Sequence, residues 1–294
     1  MKFLNYGSVN IDLVFTVDHV VQPGETLSSS SFFRSAGGKG ANQSAALAKA
    51  GANVTHAGKI GSDGQFLVDL LSGYGVDTSL IRLYEGATGQ ALIQLDKHKQ
   101  NAIVLYGGGN LQITKEEIDE SLARFDEGDM LVLQNEIVHT SYLIKEAKKR
   151  GMKVCLNTAP FDEKIFSLPL QLVDMLVVNE IEGAALANTA KGASFSEVLD
   201  ALVKAYPESE IVLTVGKGGA YYGYKAIRLH EPIYDLPVVD TTAAGDTFIG
   251  YFLTSRSIGH DNQMALRYAC KASGIAVSRL GAMGSIPLAS EVFS

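Results

Sequence analysis

Short apolar runs alternate with amphipathic stretches along almost the whole chain, and this alternation limits the fold more than any other feature. "KFLNYG", "VTHAGKIG", "DMLVLQNE", "MKVCLN", "VDMLVVNE" and "EIVLTVG" read as strands. Between them "GANQSAALAKAG", "SDGQFLVDLLSGYG", "TKEEIDESLARF", "SYLIKEAKKRG" and "FSEVLDALVKAY" carry helical periodicity. Thr114 and Glu117 make a capping box, and Gly51 and Gly151 follow helices as C-caps. Continuous apolar strands separated by helices predict a mostly parallel sheet covered on both faces. Two segments break the rhythm. Residues 12–36 and 88–110 alternate apolar and polar positions around turns at Pro23-Gly24 and Lys97 to Gln100, which predicts β-rich insertions forming a small lid sheet. There is no internal repeat or linker, so the expectation is one α/β domain over 1–294 carrying that lid.

Composition excludes several classes. With 46% apolar and 19% charged residues the chain has the makeup of a soluble globular domain. No apolar run reaches the ~18 residues of a membrane span, and "MKFLNYGSVNIDLVF" reads as a first strand rather than a signal peptide. Net charge is −7 and the densest basic stretch, "KEAKKR", reads as a solvated helix face, so no nucleic-acid partner is expected. Cys155 and Cys270 are isolated and the six histidines are scattered, which fits a cytoplasmic protein without a transition-metal site.

In an open parallel sheet, ligands bind at the carboxyl ends of the strands. The polar residues that follow the apolar runs therefore carry the functional information, and each has a plain structural reading beside the functional one. In "GSVNID", Asn10 and Asp12 share a side of an extended segment and suit a pair of hydroxyls, or else form a turn closed on its own backbone. "GGKGANQ" opens a helix: Gly38 lets the backbone approach a ligand, with Lys39 and Asn42 as donors, or is an ordinary glycine-rich cap. Glu136 follows "MLVLQN"; Asn179 and Glu182 follow "DMLVV". In "TVGKGGAYYG", Gly216 and Gly219 after Thr214 can turn amides toward a phosphate, or make a simple turn. "DTTAAGDTFIGYF" is the strongest signal. Ala243, Ala244 and Gly245 have no bulk at a helix start, and Asp246 sits in the first turn, where a carboxylate can take a proton from an attacking hydroxyl. The plain alternative is that Asp240 or Asp246 only complements the helix dipole, for ~0.3–1 kcal/mol. "SRLGAMGS" offers carbonyls and a hydroxyl suited to a monovalent cation, or is a helix exit. Neither G-x-G-x-x-G nor a Walker A loop is present, against a dinucleotide oxidoreductase or a P-loop enzyme.

Taken in order, "GSVNID", "GGKGANQ", "ATGQAL", "LQNE", "NEIE", "TVGKGG", "DTTAAGDTF" and "RLGAMGS" resemble the ribokinase family of PfkB-type carbohydrate kinases over essentially the whole chain. The resemblance implies transfer of the γ-phosphoryl group of ATP to a primary hydroxyl of a free sugar, D-ribose first, with another sugar, a nucleoside or a catalytically inactive sugar sensor as alternatives. It implies Asp246 as base and the amides of Ala243, Ala244 and Gly245 as an anion hole. Asn10, Asp12, Gly38, Lys39, Asn42, Glu136 and Asp246 would meet the sugar, and Asn179, Thr214, Gly216 and Gly219 the nucleotide. Glu182 would position Mg²⁺ through water. Asp240, Ser285 and carbonyls of Thr242, Ala276, Arg279 and Gly281 would hold K⁺. A homodimer formed through the lid is also implied. Two motifs depart from the family pattern: "YGGGN" (Tyr106 to Asn110) stands for "HAGAN", and "NTAP" (Asn157 to Pro160) for "NPAP".

Overall fold

A computed structural model describes residues 1–98 and 100–293; Lys99, inside the expected turn, and Ser294, at the end of the expected domain, lie outside them. The first third runs β1 (Phe3–Tyr6), β2 (Asn10–Thr16), β3 (Ser31–Gly37), α1 (Lys39–Lys49), β4 (Val54–Ile60), α2 (Gln65–Gly73), β5 (Asp77–Leu83), β6 (Gly89–Leu95) and β7 (Asn101–Tyr106). Next come α3 (Lys115–Leu122), β8 (Met130–Gln134), α4 (Thr140–Lys149), β9 (Lys153–Asn157), β10 (Met175–Asn179), α5 (Glu180–Leu186) and α6 (Phe195–Ala205). The chain closes with β11 (Glu210–Thr214), β12 (Ala220–Tyr224), β13 (Ile227–Glu231), α7 (Ala244–Ser257), α8 (Asn262–Val277) and α9 (Ala289–Val292).

The main sheet has nine strands in the order β13-β12-β11-β10-β9-β8-β1-β4-β5. All neighbours from β11 to β5 are parallel, and β12 alone runs against the rest, pairing antiparallel with β11 and β13. Successive strand residues point to opposite faces, and the strands feed two cores accordingly. Phe3, Val132, Cys155, Val177 and Val212 pack with residues of α1, α7 and α8, among them Leu47, Phe252 and Leu266. Leu4, Leu131, Leu133, Leu156 and Leu213 pack with residues of α3, α4 and α6, among them Ile118, Leu143 and Leu202. Both cysteines are free and buried in this packing, and burial raises both thiol pKa values, that of Cys270 to about 12.

Strand order reverses at β1, whose neighbours are β4 and β8. The residues leaving β1 and β8 at their carboxyl ends therefore flank the crevice in which such sheets bind ligands. A second sheet, in the order β3-β2-β6-β7, stands apart from the first and is built from the two insertions. Its strand β2 begins at Asn10, so Asn10 and Asp12 are alternate residues of a strand rather than a self-bonded turn.

Candidate active site

The side of the crevice expected to meet a sugar begins where the chain leaves β1. The N-terminus of α1 is pressed against the β1–β2 connection, with Ala41 N donating to Ser8 O at 2.9 Å. Gly38 has φ of 92°, and a Cβ there would sit 2.8 Å from Ser8 O. A Cβ on Gly40 would lie 2.5 Å from Ser8 N, so the glycines of "GGKG" are what allow this approach. Two glycines of the small sheet likewise leave room for the polar pair on β2. A Cβ on Gly37 would strike the Asp12 carboxylate at 2.2 Å, and one on Gly89 the Asn10 amide oxygen at 2.2 Å. Asn110, from "YGGGN", orients Asn10: its Nδ2 donates to Asn10 Oδ1 at 2.7 Å, while its Oδ1 accepts from Val9 N at 3.0 Å. Glu136, just past β8, accepts from the Ser8 hydroxyl and, at 3.1 Å, from Lys39 N.

Asp246 lies in the first turn of α7. That helix starts from Ala243, whose backbone is left-handed with φ of 59°. The carboxylate is buried, 8% exposed, and accepts one bond on each oxygen: from Asn42 Nδ2 to Oδ2 and from Gln43 Nε2 to Oδ1, both at 3.0 Å. Burial pushes its pKa up, opposed by the charge of Lys39 and by the two amide bonds. Glu136 is raised by burial too, eased by Ser8 and Lys39 and reinforced by the charge of Asp246. Burial and the Glu136 charge push Asp12 up to about 6. These couplings bring Asp12, Glu136, Lys39 and Asp246 into one electrostatic cluster. Beside it the Asn42 amide oxygen is buried without a protein partner among the described residues, an acceptor matched to a hydroxyl donor.

The raised Asp12 yields a stability prediction. A carboxylate whose folded pKa exceeds its unfolded value destabilises the fold increasingly as pH rises through that window, here from about 4 to about 6, and fully above it. Asp12→Asn is expected to raise the Tm of the ligand-free protein at pH 7 by roughly 2–4 °C, with the advantage fading between pH 6 and pH 4. Thermal melts at several pH values check this; an advantage that grows toward pH 4 refutes it.

At the ends of β10 and β11, Asn179 and Thr214 are register partners. Gly216 and Gly219 both have positive φ, and a Cβ on Gly219 would lie 2.1 Å from Glu231 O. Asn179 caps α5 by accepting from Ile181 N and Glu182 N, each at 2.9 Å. Glu182 completes the capping box, its Oε2 accepting from Asn179 N at 3.1 Å and Thr158 Oγ1 at 2.8 Å. Both side chains thus hold the helix start that faces this loop. The Ala244 amide makes a 3.3 Å bond back to Thr241 O.

Asp240 ties the two loops expected to hold a cation. Its Oδ1 accepts from Thr242 N and Oγ1, at 2.9 and 2.6 Å, and its Oδ2 accepts from Gly281 N at 3.0 Å. Ser285 is buried and donates to Ala282 O. The Ala276 carbonyl accepts from Arg279 N, and the Arg279 guanidinium pairs with Glu291. The set, carboxylate, hydroxyl and carbonyls, is all oxygen and fits a hard cation by donor chemistry. Among the described residues no cluster of three or more His, Cys, Asp or Glu could hold a metal, and no helix is long and apolar enough to cross a membrane.

Sequence reading did not single out the buried amides behind Asp246: Asn5, Gln43, Gln134 and Asn157. For Asn5, Gln134 and Asn157 the signal was an amide inside or ending an apolar run, in "FLNY", "VLQN" and "CLNT", which periodicity alone treats as noise; Gln43 closes the quoted "GGKGANQ" without a role read for it.

The fold is that of the doubly wound α/β class, with its polar crevice at the strand-order reversal and a small second sheet beside it. Comparison with known proteins carries this further. The pfkB family carbohydrate kinase model matches residues 2–289, and the chain belongs to that family. It is similar to the ribokinase of Staphylococcus aureus (strain COL), 35% identical over 99% of this chain and 98% of the relative. Among solved structures it is similar to Cryptococcus neoformans ribokinase in complex with ADP, with TM-score 0.88, 31% identity and coverage of 99% and 98%. Arabidopsis thaliana ribokinase complexed with ribose and ATP gives TM-score 0.89 at 28% identity, covering 99% and 97%. The protein is a carbohydrate kinase.

Proposed function

We propose that this kinase transfers the γ-phosphoryl group of ATP to the primary hydroxyl of free D-ribose, forming ribose 5-phosphate. The observation that carries the reading is Asp246, a buried carboxylate at the start of α7 held on both oxygens by amides of α1 and coupled to Lys39 and Glu136. Asn10, Asp12 and the free Asn42 oxygen offer hydroxyl-matched groups beside it. That donor and acceptor set suits a polyhydroxyl acceptor better than an apolar base.

In this mechanism Asn10, Asp12, Lys39, Asn42 and Glu136 bind and orient the sugar, and Gly38 admits it to the backbone. Asp246 accepts the proton of the primary hydroxyl as that oxygen bonds to phosphorus and ADP leaves. Bound MgATP supplies the phosphoryl group and the divalent charge that offsets its oxygens. Amides at Ala243, Ala244 and Gly245 would stabilise the charge that develops during transfer. Asn179, Thr214, Gly216 and Gly219 would line the nucleotide side, with Glu182 meeting Mg²⁺ through water. Asp240, Ser285 and carbonyls of Thr242, Ala276, Arg279 and Gly281 would hold K⁺ and so fix the loop that precedes α7. Positioning and charge stabilisation carry most of phosphoryl transfer, so one base and this loop suffice.

The small sheet would close over the sugar and pair with the sheet of a second copy. Exposed Phe33, Ile103, Val104 and Leu105 on it support that reading. Free buried thiols and a net charge of −7 support a cytoplasmic enzyme acting on small molecules.

Product analysis by ³¹P NMR tests the proposal, using MgATP with ribose, deoxyribose, fructose or a nucleoside, each with and without K⁺. Ribose 5-phosphate as the preferred product, formed faster with K⁺, is the expected result. Preference for another acceptor would move the specificity, and sugar binding without any product would favour a sensor.

A further inference from the structure

We propose that the buried amides Asn5, Gln134 and Asn157 are positioning residues that fix which end of the Gln43 amide faces Asp246. The proposal rests on the assignment of Asp246 as the base. An amide has a donor end and an acceptor end, so a chain of amides has a direction, and backbone carbonyls, which only accept, can set it. Asn5, on β1, gives its Nδ2 to Gly40 O at 2.7 Å and Ser44 Oγ at 2.8 Å. Its Oδ1 must then face Gln134, at the end of β8. Gln134 Nε2 donates both to Asn5 Oδ1 at 2.9 Å and to Gln43 Oε1 at 2.7 Å. From the other side, Asn157 gives its Nδ2 to Val177 O at 3.1 Å and turns its Oδ1 to Gln43 Nε2 at 3.3 Å. Gln43 is thereby held with its oxygen toward Gln134 and its NH₂ toward Asn157 and Asp246 Oδ1.

Asn5, Gln43 and Gln134 are fully buried and Asn157 nearly so, which keeps bulk solvent from competing for these contacts. Gln134 and Asn157 are register partners on β8 and β9, so the sheet itself sets their spacing. Among the described residues the Gln134 oxygen has no partner while its NH₂ serves two acceptors, and a Cβ on Gly7 would lie 2.2 Å from that oxygen. Flipping Gln43 or Gln134 would place oxygen against oxygen at two contacts, and flipping Asn5 or Asn157 would set oxygen against a backbone carbonyl and NH₂ against NH₂. The consequence is a donor locked onto the base, favouring its ionised, proton-accepting form. The other charged groups around the base are Lys39 and Glu136, with Asp12 beyond Glu136. His56, which meets Ser44 Oγ at 2.8 Å at the far end of the chain, has a pKa pushed down to about 4 by burial and stays neutral above pH 5.

The test is the acid limb of kcat/KM against pH for the wild type, Gln43→Met, Gln134→Met and the double variant, with Asp246→Asn as control. Gln43→Met is expected to raise the midpoint by about 1 pH unit. Gln134→Met should move it in the same direction with the alkaline plateau largely kept. The double variant should match Gln43→Met alone, because Gln134 acts only through Gln43. A folded Gln134→Met enzyme with an unmoved limb, or shifts that add in the double variant, overturns the proposal. Should Gln134→Met not fold, the side-chain amide resonances of the wild type decide. Those of Gln43 and Gln134 should titrate with one midpoint that Asp246→Asn removes; Gln134 signals that stay fixed while those of Gln43 move contradict the relay. This readout needs no turnover. Turnover retained by Asp246→Asn would defeat the base assignment instead, a result distinct from either failure of the relay.

Discussion

Asp246→Asn is expected to lower kcat with ribose by about 10²- to 10⁴-fold, the usual contribution of a positioned general base, while changing sugar affinity far less. The fall has a structural reason besides the lost proton acceptor. Asp246 takes a donor on each oxygen, from Asn42 and from Gln43. An asparagine there must turn its own NH₂ toward one of those two donors, so the new side chain cannot satisfy both contacts. The same geometry predicts an acid limb for the wild type. Burial raises the Asp246 pKa, and a base works only when deprotonated, so turnover falls as pH drops through that raised value. A stopped assay over pH 5–9 measures both effects. Activity of the variant within tenfold of the wild type would remove Asp246 from the mechanism.

Gly245→Val is the second large effect, and it separates chemistry from folding. A Cβ built on Gly245 meets no atom within 4 Å. Its φ is not in the left-handed region, unlike that of Ala243 before it. A Cβ at 245 therefore meets no steric conflict in the fold and points into open space at the start of α7. If that space seats the transferring phosphoryl group, valine occupies it. We expect Tm within about 2 °C of the wild type and a kcat at least about 10²-fold lower, comparable with loss of one anion-stabilising donor. A melt paired with a turnover assay checks this. An active Gly245→Val enzyme would place the phosphate elsewhere.

Much of the framework was legible because its physical causes are local. Continuous apolar runs marked the inner strands β1, β4 and β8 to β11, and the Thr114–Glu117 capping box marked the start of α3. Edge strands β5 and β13 were not recognised. Their burial is sparse: "DTSLIRL" lacks a clean alternation, and "IRLHE" alternates over too few residues, none of them fully buried, to stand out. At the site, Asn10, Asp12, Lys39, Asn42, Glu136 and Asp246 could be picked out because polar groups directly after apolar strands, or at a glycine-opened helix start, are costly to place there without purpose. Their convergence was not readable from spacing; it follows from α1 and α7 packing on the same face of the sheet. Asn110 illustrates the remainder. Its role, bridging Val9 and Asn10 across about a hundred residues of chain, exists only once the small sheet has folded. Asn5, Gln134 and Asn157 were equally hidden, since each makes sense only beside the others on neighbouring strands.

The central claim, that this carbohydrate kinase uses Asp246 to phosphorylate ribose, is tested most directly by ADP formation with MgATP, K⁺ and ribose, comparing the wild type with Asp246→Asn. The account predicts ribose-dependent ADP formation in the wild type that the variant loses by at least about 10²-fold while still binding ribose. Equal ADP formation by the two proteins, or none with ribose in the wild type, would contradict it.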